Sequence, residues 1–191
     1  MLSAMRTPSL ALVAPLLSLL SACATHRPYP VAAWGPLPAP PAEDCRHFEG
    51  SYGDRGEPIP GAKQQPSLSS ELFFEDYSPD NEKLARATRV SFSLPTDDVL
   101  DVTVWEGATP LLVRSLKRPK NFECEAGRLV IRRSGLVTAN MGFGWGSVAF
   151  TFHSTDDYLV GQRKDSEAGV VFLVVPMKGS GTTWYRFARE R

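Results

Sequence analysis

The sequence has few of the side chains that usually carry chemistry or bind charged polymers. Its 191 residues include three histidines and three cysteines, and 21 basic residues balance 21 acidic ones. This balance gives no basic surface for nucleic acid or for an anionic membrane. His26, His47 and His153 stand at no spacing typical of metal ligands, so we expect neither a metal centre nor a cofactor.

Catalytic motifs are missing as well. The sequence contains no Gly-x-Ser-x-Gly nucleophile motif and no glycine-rich loop leading into a Lys-Ser/Thr pair. Adjacent acidic residues occur at Glu75-Asp76, Asp97-Asp98 and Asp156-Asp157. Neighbouring side chains on a strand point to opposite faces, and acidic residues in turns cap backbone groups. We therefore expect a protein that is not an enzyme.

No apolar run is long enough to cross a membrane as a helix. The longest, residues 10–20, is shorter than the roughly 20 residues required, and Pro15 interrupts it. With Arg6 before it and small residues behind, it has the layout of a secretory signal. It ends in Leu20-Ser21-Ala22-Cys23, which resembles the lipobox of bacterial lipoproteins.

The lipobox resemblance implies that Cys23 becomes the lipid-bearing first residue of the mature chain. In such proteins the thiol receives a diacylglycerol, the signal peptide (here 1–22) is removed, and the new amino group is acylated, typically by palmitate. More than one acyl chain is needed for stable attachment to a bilayer. Because Ala24 rather than an aspartate follows the cysteine, the resemblance also implies the outer membrane of a Gram-negative cell, with the domain facing the periplasm.

Residues 23–44 form the next segment, in which proline is abundant. Six prolines lie between residues 28 and 41, and they favour extended polyproline geometry. At about 3.1 Å per residue, twenty such residues would span about 60 Å. We expect this segment to be a tether; a proline motif that binds a partner is the alternative.

Residues 45–191 have the size and pattern of a single β domain. Large apolar and polar residues alternate in short stretches rich in β-branched and aromatic side chains, which indicates strands with one buried face. The clearest stretches are 90–94, 100–104, 129–131, 148–152 and 183–187. They predict an all-β fold, an antiparallel barrel or sandwich of about eight to ten strands.

Other local patterns predict the connections. Ser134-Gly135, residues 167–169 and residues 178–181 have turn composition, and the continuous apolar run 170–175 predicts a strand covered on both faces. Residues 78–85 predict one short surface helix, because serine and proline precede acidic residues there.

The two remaining cysteines are Cys45 and Cys124. An exported chain folds in an oxidising compartment, where two free thiols can pair completely. The sequence therefore predicts a Cys45–Cys124 disulfide, with two unpaired buried thiols as the alternative.

One stretch has unusual composition: Gly142-Phe143-Gly144-Trp145-Gly146. If it continues the 148–152 strand, its three glycines share the core face and leave it bare, which permits close approach of a ligand or partner. The alternative is a bulge or bend covered by an aromatic ring, for which Tyr185 and Phe187 are the candidates.

The domain also resembles known proteins on scattered residues. Phe48-Glu49-Gly50-Ser51-Tyr52, Gly56-Glu57, Phe122-Glu123-Cys124 and Trp184-Tyr185-Arg186-Phe187 resemble a group of small Gram-negative lipoproteins without an assigned activity. That likeness implies a non-catalytic structural or interaction module.

A second likeness is to lipocalins, in which a Gly-x-Trp of the first strand lies under an arginine of the last strand. Gly50-x-Tyr52 and Arg186 occupy those places here, with tyrosine for tryptophan and no long helix after the last strand. This likeness implies a binder of a small lipophilic ligand as the alternative function.

Overall fold

A computed structural model describes residues 24–37, 39, 44–75, 78–139, 142–171 and 175–190. The signal peptide and Cys23 lie outside the described residues. For residues 24, 136–139, 142–143, 171 and 175–177 only the backbone is described.

The described residues form an all-β protein, as the alternating sequence pattern predicts. They contain eleven strands: β1 (Ala24–His26), β2 (Gly50–Gly53), β3 (Glu57–Pro58), β4 (Arg89–Thr96), β5 (Val99–Glu106), β6 (Thr109–Lys117), β7 (Phe122–Glu125), β8 (Arg128–Ala139), β9 (Gly142–Ser154), β10 (Tyr158–Val171) and β11 (Val175–Glu190). The helical elements are α1 (Val31–Trp34), α2 (Leu68–Phe73), α3 (Asn81–Ala85) and a 3₁₀ turn (Arg46–Phe48).

The strands belong to one sheet in the order β6-β5-β4-β2-β11-β10-β9-β8-β7. Neighbours on this path are antiparallel, while the short strands β1 and β3 add to the free part of β11, β1 in parallel orientation. The two edge strands, β6 and β7, are consecutive along the chain and are joined by residues 118–121. The sheet therefore curls until its edges meet at one turn, which gives a barrel-like shape.

Aromatic side chains fill the inside of the curl. Phe122, Phe152 and Phe187 are fully buried and belong, with residues of every long strand, to one apolar cluster. Each such side chain contributes about 1.5–3 kcal/mol when it leaves water. Leu72 of α2 and Leu84 of α3 are buried in the same cluster, so both helices pack onto the core.

Three predicted turns are in fact strand interiors. Ser134-Gly135 lies within β8, residues 167–169 lie within β10, and residues 178–181 lie within β11. On these neighbouring strands, glycine stands opposite glycine and serine opposite serine at several register positions. The strands therefore pair through these positions, although each stretch alone has the composition of a turn. The run 170–175 is likewise not one strand, because β10 ends at Val171 and β11 begins at Val175 opposite it.

The helices agree with the sequence only in part. Helix α3 lies within the predicted range, but its Leu84 is fully buried rather than on the surface. Helix α2 was not predicted. Its signal is local, since the Ser67 side chain accepts a hydrogen bond from the backbone N–H of Ser70 and caps the first turn.

The predicted disulfide is present. Cys45 and Cys124 are bonded with their Cα atoms 5.9 Å apart, across 79 residues of sequence. The bond joins the start of the domain to β7, which is one edge of the sheet. A cross-link over a loop of this length restricts the unfolded chain and stabilises the fold by about 2–5 kcal/mol.

The N-terminal segment differs from the expected free tether. Residues 24–26 pair with residues 180–182 of β11, and the side chains of Tyr29, Trp34 and Leu37 pack on the outer face of the sheet. The reach expected of an extended polyproline segment therefore does not apply to residues 24–37. Their aromatic and leucine side chains lose water by lying on the sheet, which outweighs the extended preference of the prolines.

His153 is a packed side chain of the outer face, next to that segment. It is nearly buried on β9, and its ring centroid lies 6.4 Å from that of Trp184. Burial, with a smaller contribution from the charge of Arg128, lowers the pKa of His153 to about 4. The folded domain therefore favours the neutral imidazole.

This burial predicts a pH dependence of stability. Between the ordinary histidine pKa of 6.5 and about 4, the unfolded chain takes up a proton that folded His153 does not. The contribution of neutral His153 is thus complete above pH 6.5 and is lost as the pH falls toward 4. Urea unfolding should show wild type losing more stability across this range than His153→Phe. Parallel pH profiles for the two proteins would contradict the prediction.

Candidate functional site

The four longest strands, β8 to β11, continue beyond the filled core at one end of the sheet. We call this projecting end the tip. It comprises residues 134–139, 142–147, 166–171 and 175–180. The tip contains all five residues that the sequence singled out, Gly142 to Gly146, although the Phe143 side chain lies outside the described part.

On the inner face of the tip, strand β9 carries glycine at every position. β9 pairs without a bulge, so Gly142, Gly144 and Gly146 lie on the face of Phe150 and Phe152, as strand alternation predicts. Glycines also occupy positions in the neighbouring strands, where Gly146 stands opposite Gly135 and Gly144 opposite Gly169. The aromatic core therefore ends where the tip begins.

The volume beside Gly144 is occupied by main chain and not by an aromatic ring. A Cβ atom at Gly144 would lie 2.5 Å from the carbonyl oxygen of Ala168 and 2.8 Å from the Cα of Gly169. The expectation that Tyr185 or Phe187 covers this glycine is therefore corrected. The Phe187 ring instead lies over Gly56, within 2.5 Å of where a Cβ would stand.

The outer face of the tip carries serines near the core and an exposed tryptophan and lysine further out. Four serines form a cross-strand row: Ser134, Ser147, Ser166 and Ser180. The hydroxyl groups of Ser147 and Ser166 are hydrogen-bonded, with their Oγ atoms 2.9 Å apart. The next outer-face row contains Trp145, Ala168 and Lys178. Trp145 is 60 % exposed, so most of its surface is in contact with water.

A partly buried ion-pair cluster separates the core from the tip on the inner face. Arg163 of β10 places Nη1 2.9 Å from Oε2 of Glu71 on α2, and Arg133 of β8 donates from Nη2 to the carbonyl of Phe74 at 2.6 Å. Burial raises the pKa of Glu71, and the charge of Arg163 opposes that rise. These contacts hold α2 across the strands at the place where the aromatic core ends. No local pattern in the sequence predicts this cluster.

A second cluster on the outer face holds the N-terminal segment. The Trp34 indole N–H donates to Oε1 of Glu57 at 3.0 Å, and Arg186 Nε donates to Oε2 of the same carboxylate at 2.7 Å. The Arg186 guanidinium also lies over the rings of Tyr158 (4.7 Å) and Trp34 (5.2 Å). Cation–π contact and charge-assisted hydrogen bonds therefore act together on one face of Trp34.

The arginine expected over Tyr52 is a different residue of β11. Arg189 lies 5.5 Å from the centroid of the Tyr52 ring and donates to the carbonyl of Glu49. Arg186, the residue expected there, points to the opposite face of the sheet. Tyr52 itself is fully buried in the core and donates its hydroxyl to the carbonyl of Phe48 at 2.9 Å.

Two open depressions occur on the surface of the described residues. One, of about 350 Å³, lies beside the disulfide and is bordered by Asp44, Arg46 and Asp97. The other, of about 320 Å³, lies beside Glu57 and Lys63. Both have charged walls, and neither reaches into the aromatic core.

Neither a metal site nor a membrane-spanning helix is found among the described residues. They contain no group of three or more His, Cys, Asp or Glu side chains placed to hold a metal ion. None of their helices is both long and apolar enough to cross a membrane. Comparison with family models, with curated proteins and with solved structures gave no match to this chain.

The contacts of Gly144 predict a matched pair of variants at the tip. Gly144→Val places a side chain against the β10 main chain, which cannot move without breaking the ladder, so we expect a loss of about 1–3 kcal/mol in unfolding free energy. In Gly179→Val the new side chain enters open space, and we expect a change within about 0.5 kcal/mol. Urea unfolding measures both. Equal effects of the two substitutions would contradict the close packing of the β10 main chain against Gly144.

Proposed function

We propose that this protein is a lipid-anchored lipoprotein of the Gram-negative outer membrane, whose β domain faces the periplasm and serves as a non-catalytic structural or interaction module. The Leu20-Ser21-Ala22-Cys23 motif supports the anchor. One structural observation carries the proposal further: Ala24, the residue after the lipobox cysteine, is already hydrogen-bonded into the sheet opposite Ser180. The acylated residue is then the immediate neighbour of the folded domain.

The filled interior supports an interaction module over a ligand carrier. A carrier of the lipocalin type needs an apolar cavity, whereas here Phe92, Phe150 and Phe152 meet inside the curl with ring centroids 6.1–6.3 Å apart. An exposed aromatic such as Trp145 at the projecting end is a feature of contact surfaces.

A lipophilic-ligand binder is the second candidate function. The observation that favours it is the buried Tyr52 under Arg189, which places an aromatic ring of the first domain strand beneath an arginine of the last. Extraction of the native protein followed by mass spectrometry distinguishes the candidates. A stoichiometric non-covalent lipid would favour the binder, and its absence would favour the module.

The anchor is tested by Cys23→Ser. Expressed in a Gram-negative host with radiolabelled palmitate, the wild-type protein should take up label and sediment with outer-membrane fractions. The variant should remain unlabelled and unprocessed, because serine offers no thiol for the diacylglycerol. The double variant Cys45→Ser/Cys124→Ser is the control, and it should keep the label. A labelled Cys23→Ser protein, or an unlabelled wild type, would refute the anchor.

A further inference from the structure

The direction of β1 determines where the chain leaves the sheet. β11 runs from the tip toward the core, and β1 is parallel to it, with Ala24, Thr25 and His26 opposite Ser180, Gly181 and Thr182. The N-terminal end of β1 is therefore its end nearer the tip. Ala24, which follows the proposed lipid-bearing Cys23, is therefore the tip-side end of β1, and we call it the exit point.

Trp145 lies close to this exit point. It is on β9, and β10 and β11 separate it from β1, which makes three strand spacings of about 4.8 Å each, or about 14 Å across the sheet. Along the strand direction it is level with Lys178, two residues further toward the tip than Ser180. The exposed indole is thus beside the exit and on its outward side.

The side chains around Trp145 suit the headgroup layer of a bilayer. Tryptophan is enriched at membrane–water interfaces, where its ring is apolar and its N–H finds a polar partner. Lys178 shares the cross-strand row of Trp145 and is exposed. An ammonium group at this level can pair with a lipid phosphate.

We propose that the tip contacts the headgroup layer of the membrane that carries the anchor, with Trp145 inserted at the interface. This inference rests on the proposed function, because acyl chains on Cys23 bring the tip side of the sheet to the bilayer. A short link between anchor and sheet leaves little freedom to turn the tip away. The lipid supplies the attachment, while the Trp145 indole and Lys178 fix the orientation of the domain.

Tryptophan quenching by brominated phospholipids tests the contact. The full-length acylated protein, its acylation verified by mass spectrometry, is reconstituted into vesicles whose lipids carry bromine near the top of the acyl chains. Quenching is short-ranged, so it reports only indoles at the interface. We expect clear quenching of the wild type, loss of most of it in Trp145→Phe, and full retention in the control Trp105→Phe, whose indole N–H is bonded to Ser91 on another part of the sheet.

Two results would overturn the inference while the proposed function stands. One is an acylated protein whose quenching is the same in wild type and Trp145→Phe. The other is a lipid-free mature chain (residues 24–191) that forms a dimer in sedimentation, with the dimer lost in Trp145→Phe, since the indole would then bind a second copy. A wild-type protein without acyl chains would instead refute the anchor itself, and the membrane contact with it.

Discussion

Strand β11 hydrogen-bonds to β10 along fourteen register pairs on one edge and, in succession, to β1, β3 and β2 on the other. Its inner face sends Tyr185 and Phe187 toward the aromatic core, and its outer face presents Trp184 and Arg186. Because β11 joins the β8–β10 side of the sheet to the β4–β6 side through β2, the curled shape exists only while this ladder is intact.

The same strand also holds the N-terminal segment on the rest of the molecule. Its outer face is where Trp34 is held by Glu57 and Arg186, so the N-terminal segment becomes part of the folded domain. Its first half forms one side of the tip. Under the proposed anchor, this backbone ladder and aromatic cluster would connect the domain to its point of attachment and fix its orientation at the membrane.

The sequence predicts those parts of the fold in which local pattern and packing agree. Alternating stretches such as 148–152 lie in strands because one face meets the core. The Cys45–Cys124 bond was predictable because the lipobox resemblance assigns Cys23 to a lipid, which leaves these two thiols to pair. The tip was not predictable in this way, because its glycine- and serine-rich stretches have the composition of turns. They form strands only because each one pairs with a similar stretch on the neighbouring strand. The Glu71–Arg163 pair, 92 residues apart in sequence, depends entirely on strand order.

Hydrogen exchange of the N-terminal segment tests most directly whether it belongs to the folded domain. The backbone N–H of Arg27 donates to the carbonyl of Thr182 at 3.1 Å, directly after the three residues of β1 that pair with residues 180–182 of β11. In the native protein, the amide of Arg27 should exchange slowly, at a rate comparable to those of the paired β11 amides. Exchange of this amide at the rate of an unstructured peptide, with β11 still protected by β10, would show a free tether and contradict this account.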